Sequence, residues 1–412
     1  MHLKRALLAI SFFIITTTVL AQNRLQTGMW RGVLKTSNGT ELPFNFEVND
    51  TGNAQQITVI NGDERLKVTD VKVDGDSVFI RMPLFNSEFR LAKGKTALSG
   101  KWIKHLADMD AVMAFTASPN TPWRFLVAPK DPQNNITGKW SATFGVGKPG
   151  MENLVGVFEQ KGTKVTGTFL STTGDYRYLE GVLSGNKLLL SCFDGGHAFM
   201  FAADVNFKNI LSNGKFYSGA SGLDFWSAIK NDTAKLPDAY SLTSLKHGFK
   251  KLDFTFRDIN GKNVSLSDSQ FKNKVVIVQI LGSWCPNCMD ETNYFVSGYY
   301  NKYHDKGVEI IGLAYERSTD FAKSQITVQQ LISHFKVPYP VLITGFTPGN
   351  GDPEKSLPAL ADFKGFPTTL IIDKNGDVRK IHTGFSGPGT GEYYTEFTNE
   401  FEKLTEDLLA GK

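Results

Sequence analysis

From about residue 22 to 232, apolar and polar residues alternate in short runs such as Phe44-Asn45-Phe46-Glu47-Val48, Val78-Phe79-Ile80-Arg81-Met82 and Lys187-Leu188-Leu189-Leu190. A period of two places alternate side chains on one face, as a strand with one buried side requires. The runs are separated by turn pairs: Asn38-Gly39, Asn61-Gly62, Asp74-Gly75, Gly185-Asn186 and Asn213-Gly214. No helical periodicity longer than two turns interrupts them, so this stretch is expected to be all-β. Beyond Gly248 the pattern changes. Apolar runs at Val275 to Leu281, Val308 to Ala314 and Val341 to Ile343 predict buried strands. Between and after them, apolar residues at helical spacing predict helices over Phe321 to Phe335 and around Tyr394, Phe397, Phe401, Leu404 and Leu408. Leu357, Leu360 and Phe363 suggest a further short helix, and hairpins are expected at Asn260-Gly261 and Asn375-Gly376. Strands alternating with helices mark an α/β sheet.

The β region repeats itself. Gly28-Met29-Trp30-Arg31-Gly32 opens one half and Gly138-Lys139-Trp140-Ser141-Ala142 the other, and Leu98-Ser99-Gly100-Lys101-Trp102 is answered by Leu211 to Phe216. Four prolines (119, 122, 129, 132) between the halves suit a linker. The Gly-x-Trp openings resemble the first strand of lipocalin-like small barrels, in which the tryptophan plugs one end of the core. The expected organisation is a signal peptide at 1–21, β repeats at 22–118 and 136–232, linkers at 119–135 and 233–248, and an α/β domain at 249–412.

Composition narrows the function. The net charge of +4, from 45 basic and 41 acidic residues, is small for 412 residues, and no polybasic run occurs. Nucleic acid and anionic membrane surfaces are therefore poor partners. Lys4 and Arg5 precede an apolar stretch from Ala6 to Leu20 that ends in Val19-Leu20-Ala21. That run is shorter than the ~20 residues of a bilayer span and reads as an export signal. The mature chain is expected in the periplasm or cell envelope, without stable membrane insertion once the signal is cut.

The chemistry concentrates at Trp284-Cys285-Pro286-Asn287-Cys288, between the strand ending at Leu281 and a helical pattern beginning at Met289-Asp290-Glu291. A helix start offers unpaired N–H groups and the positive end of a dipole, both of which favour an anionic sulfur there. The dipole supplies only about 0.3–1 kcal/mol, so direct N–H donation to sulfur must add to it. Two intervening residues let the pair close and reopen a small disulfide. A zinc site would need a second ligand pair, yet the remaining cysteine is Cys192 and the seven histidines form no i, i+3 to i+5 pair. A structural disulfide usually closes a longer loop. Cys192 reads as a buried small hydrophobe and His197 as a loop or strand histidine. No cofactor is called for.

From about Phe249 onward, the chain resembles a thioredoxin-fold domain of the TlpA/ResA-like family of exported thiol–disulfide oxidoreductases. The resemblance rests on the hairpin at Asn260-Gly261-Lys262, the Trp-Cys-Pro-Asn-Cys motif, Glu291, Gly365-Phe366-Pro367-Thr368, and the strand that ends at Asp373-Lys374-Asn375-Gly376. It implies a central mixed sheet flanked by helices. It also implies that Cys285 is an exposed nucleophile, Cys288 the recessed resolving thiol, Pro367 a cis-proline facing them, and Glu291 an acid that tunes the thiols, with Trp284 beside the pair. Thioredoxin itself keeps a buried carboxylate where Gln279 stands here. Expected partners are a protein disulfide substrate and a membrane thiol electron donor. Competing readings are a thiol peroxidase, which would want a Pro-x-x-x-Thr-x-x-Cys arrangement that is absent, a copper-handling protein, and a β protein that binds a ligand or partner and carries an accessory redox domain.

Overall fold

A computed structural model describes residues 24–412; the expected signal peptide at 1–21 lies outside the described residues. The β region forms two nine-stranded antiparallel sheets. In the first, from Gly28 to Pro119, the two edge strands Glu64–Val68 and Asp70–Asp74 are joined by Thr69 alone. The sheet must therefore curl until its edges approach each other, which makes it barrel-like. The second closes outright: Glu152–Lys161 pairs with Lys164–Ser171 as well as with Gly138–Phe144, so eight strands form a complete ring. Closure removes the exposed edges on which other chains could pair.

The tryptophans of the repeat occupy equivalent places. Trp30 and Trp140 are both buried, and each indole donates at 2.9 Å to the carbonyl four residues earlier, Gln26 and Ile136 respectively. A buried indole needs such an acceptor. The two barrels are fused through the strand Lys187–Phe193. Leu188, Leu190 and Cys192 face the second core, whereas Phe193 enters the first and stacks on Phe44 at 4.5 Å. The proline-rich connector is anchored as well. Its buried Arg124 donates to the Ile60 carbonyl at 2.6 Å and the Ser191 carbonyl at 3.2 Å, so it joins the two barrels.

The C-terminal part is a seven-stranded mixed sheet. Val275–Leu281 runs parallel to Val308–Ala314 on one side and antiparallel to Thr368–Ile372 on the other. The central strand is buried on both faces: Val275 and Ile277 join one apolar cluster, while Val276, Val278 and Ile280 join the other. That is why it reads as a continuous apolar run. Helices Phe321–Phe335 and Glu392–Leu409 cover the sheet as the spacing predicts. The helix after the cysteine motif, Pro286–Tyr294, continues through a π turn at Phe295–Tyr299 to Tyr303. One element differs. The short helix is Asp352–Ser356, and Leu360–Ala361 is a strand paired with Ser244–Leu245. The chain before Leu357 carries Pro353 at a helix start, and backbone pairing claims the apolar residues after it.

Candidate active site

The strand Val275–Leu281 leaves the sheet through Gly282-Ser283-Trp284 and turns directly into the helix Pro286–Tyr294. Cys285 is the helix cap: its backbone is extended, and its sulfur accepts the Cys288 N–H at 3.2 Å. Pro286 fills the first helical position, where an N–H would have no partner in any case. The sulfur of one cysteine thus satisfies a helix-start donor belonging to the other. Both are free thiols and both are buried, Cys285 at 5% and Cys288 at 0% exposure. The solvent-exposed nucleophile expected from sequence is therefore covered. Burial, followed by the contact with Cys285, pushes the Cys288 thiol well above its ordinary range.

The other expected residues surround this pair. Trp284 donates from its indole to the Tyr315 carbonyl at 2.9 Å, meets Phe366 edge-on at 5.4 Å and carries the Arg317 guanidinium over its ring at 4.8 Å. The Phe366–Pro367 bond is cis, and Phe366 packs into the apolar cluster that contains both cysteines. Glu291, fully buried, accepts from Thr369 Oγ1 at 2.7 Å and from Gln279 Nε2 at 2.9 Å. Gln279 and Thr369 face each other across adjacent strands, so the sheet presents two donors to a carboxyl that the helix delivers. Burial pushes Glu291 up to about 7, and the two hydrogen bonds pull it back only in part. Among the described residues, no group of three His, Cys, Asp or Glu side chains is placed to hold a metal ion.

The Redoxin family profile matches residues 246–396. The thiol–disulfide oxidoreductase ResA of Bacillus thuringiensis subsp. konkukian is 31% identical over 145 residues, which is 35% of this chain and 72% of the relative. ResA of Bacillus subtilis is 29% identical over 34% of this chain and 69% of its own length. The chain belongs to the ResA family of thiol–disulfide oxidoreductases. Its family membership rests on the C-terminal part, and the relatives' match leaves the β region uncovered. Among solved structures, the thioredoxin domain of a Bacteroides vulgatus thiol-disulfide oxidoreductase is 23% identical, covering 37% of this chain and 99% of its own, with a TM-score of 0.28.

This ResA-family chain surrounds its dithiol with residues that sequence reasoning missed. Leu84 and Phe85, from the first barrel, share a buried cluster with Cys285, Cys288 and Met289. From the second barrel, Arg177 donates to the Pro286 carbonyl at 3.3 Å and forms ion pairs with Asp290, next to Glu291, and with Glu64 of the first barrel. Gly174 lies against Asn287 of the motif: a Cβ there would fall 1.7 Å from Asn287 Nδ2. Its φ of +146° is also one that side chains disfavour. In the sequence, Arg177, Glu64 and Asp290 look like ordinary surface charges, and nothing in the local pattern joins them. Cys192 remains in the second barrel's core, and His197 sits half-buried in a turn against Asp194 at 3.0 Å.

Proposed function

We propose that the chain is an exported disulfide reductase that works through Cys285 and Cys288. The observation that carries this is the capped geometry, in which Cys285 sulfur takes the Cys288 N–H at a helix start while Cys288 is sealed behind it. Cys285, as thiolate, attacks one sulfur of a substrate disulfide. A Cys285–substrate bond forms, the substrate S–S bond breaks, and the departing thiolate takes a proton. Cys288 then loses its proton and attacks Cys285, forming the Cys285–Cys288 disulfide and releasing the second substrate thiol. Two electrons and two protons pass from the dithiol to the substrate.

Exchange of the Cys288 proton is assigned to Glu291, which lies three residues further along the same helix, acts electrostatically on that thiol, and titrates near 7, where an acid exchanges protons efficiently at neutral pH. Pro367 and Trp284 border the substrate position, as the family resemblance implies. The reductant reading is supported by burial of Cys288, which favours its neutral thiol and gives no extra stability to a reduced form ionised at that sulfur. A stabilised reduced form is what makes a strong oxidant. A reduction potential below about −220 mV against glutathione is expected, and one near −120 mV would contradict the reductant role.

The apolar stretch at 6–20 supports export, and an exported reductant needs re-reduction, for which we infer a membrane thiol carrier. Its substrates are disulfides of other molecules, extended polypeptide segments among them. No helix among the described residues is long and apolar enough to cross a membrane. The units of this reading are the β repeats at 22–118 and 136–232 and the redox domain at 249–412.

Glu291→Gln provides a separable test. The unfolded chain ionises this group near its ordinary 4.5, whereas the folded chain holds the proton to about 7. Stability is therefore full below pH 4.5, falls between 4.5 and 7, and above 7 bears the whole cost, about 3 kcal/mol. The variant should lack this decline in pH-dependent unfolding and should lose the neutral-pH inflection in its exchange rate. A decline identical to wild type would remove Glu291 as its source.

A further inference from the structure

The dithiol lies under the β region. Phe85 is the plug. Its side chain fits against Gly196, where a Cβ would come within 2.4 Å of Phe85, and meets His197 edge-on at 5.0 Å. Lys104 holds the same turn by donating to the Gly196 carbonyl at 2.7 Å. On the other side, the turn at Thr172 to Gly174 lies over the cis-proline loop. A Cβ at Gly365 would meet Thr173 Cγ2 at 2.6 Å, and one at Gly384 would meet the Thr172 carbonyl oxygen at 2.8 Å. These contacts come from both barrels and converge on the face of the redox domain where Cys285, Asn287 and Phe366 stand. A folded protein cannot bring a disulfide to Cys285 while they hold.

An opening remains beside the motif. A cleft of about 240 Å³ between the first barrel and the redox domain has Ser283 and Trp284 in its lining, the two residues before Cys285. Phe85 borders both this cleft and the buried cluster around Cys285. Three cations line it: Lys104, Arg317 over Trp284, and Lys323. Of the acids, Glu316 has its oxygens engaged by Ser283 N at 2.8 Å, Ser283 Oγ at 2.6 Å and Thr327 Oγ1 at 3.0 Å, and Asp108 stands 3.8 Å from Lys323 at the exposed rim. A cleft with low-dielectric walls and an excess of one charge concentrates ligands of the other.

We propose that the two barrels form a substrate-selecting cover over the dithiol, which excludes folded protein disulfides and admits, past Phe85 through the basic cleft beside Trp284, narrow disulfides that carry carboxylates. This rests on the reductase reading above and adds the class of substrate. The exchange itself is unchanged: each narrow disulfide takes two electrons from the Cys285–Cys288 dithiol and leaves as two thiols.

Access is measured first, on the reduced full chain, as the rate of Cys285 alkylation by iodoacetamide. Phe85→Ala is expected to raise it at least about tenfold, because removing a plug lowers the free energy of local opening. Gly174→Ala, which forces the second turn away from Asn287, should raise it as well. Rates equal to wild type in both variants overturn the cover. Selection is measured with oxidised glutathione, an extended acidic peptide disulfide, neutral hydroxyethyl disulfide and insulin. The two acidic narrow disulfides should have kcat/KM at least about tenfold above the neutral one and above insulin. Arg317→Gln with Lys323→Gln should erase the preference, read as a fall of at least about tenfold in the ratio of kcat/KM for the acidic disulfides to that for the neutral one. Reduction of glutathione alone, without the peptide, identifies small molecules as the source of the carboxylates. Equal kcat/KM for all four substrates overturns the selection. A chain that reduces none of them overturns the reductase reading, while the alkylation rates still report on the cover.

Discussion

Cys285→Ser is expected to lower disulfide reduction by at least on the order of 10³-fold, because oxygen at that position cannot form the mixed disulfide. The fold should be retained, since serine also caps a helix start well. Cys288→Ser should behave differently. Attack by Cys285 still occurs, but nothing releases the substrate, so a stable one-to-one adduct on Cys285 accumulates and turnover stops after one event. Cys192→Ser completes the set. Cys192 lies in the closed barrel's core, where its thiol donates to Tyr176 O at 3.9 Å, so exchange should be unaffected. Adduct formation in Cys285→Ser would assign the nucleophile elsewhere.

Arg177→Ala has the second large effect, on stability. Arg177 is shared between Asp290 and Glu64, and the three side chains keep only 12–15% exposure. Removing the cation leaves Glu64 and Asp290, with buried Asp175 beside Asp290, short of a counter-charge and of water, and burial already pushes Asp290 up to about 7. A fully buried pair broken in this way costs about 3–5 kcal/mol. The residual exposure screens part of that cost, and about 2–4 kcal/mol is expected in urea unfolding. Adding Asp290→Asn and Glu64→Gln to Arg177→Ala removes the stranded charges and should recover most of the loss. If the triple variant is no more stable than Arg177→Ala, the loss comes from packing and not from charge. The same arginine joins both barrels to the active-site helix, so Arg177→Ala should also speed alkylation of Cys285.

What the sequence made legible follows the range of each interaction. The helix Phe321–Phe335 and the buried strand Val275–Leu281 are stated by local periodicity, and both stand where the pattern puts them. The duplicated Gly-x-Trp openings identified two like units, because each indole bond closes within four residues. The short helix was misplaced because Leu360 serves a strand pairing with Leu245, more than a hundred residues away, which no local spacing can report. The site divides in the same way. Cys285, Cys288 and Glu291 share one helix start and were readable. Gln279 was visible as a missing carboxylate, but not as the donor that holds Glu291. The cover over Cys285 was invisible: Phe85 and Arg177 reach the dithiol from separate barrels, across 100 or more residues of sequence. Hence the nucleophile expected at the surface lies at 5% exposure.

The decisive measurement is thiol trapping with mass spectrometry on the full chain, equilibrated in glutathione buffers across a range of potentials. A single two-electron transition linking Cys285 to Cys288, with Cys192 reduced throughout, is the predicted result. A pair that stays dithiol or stays disulfide across the whole range, or a disulfide that uses Cys192, would contradict it.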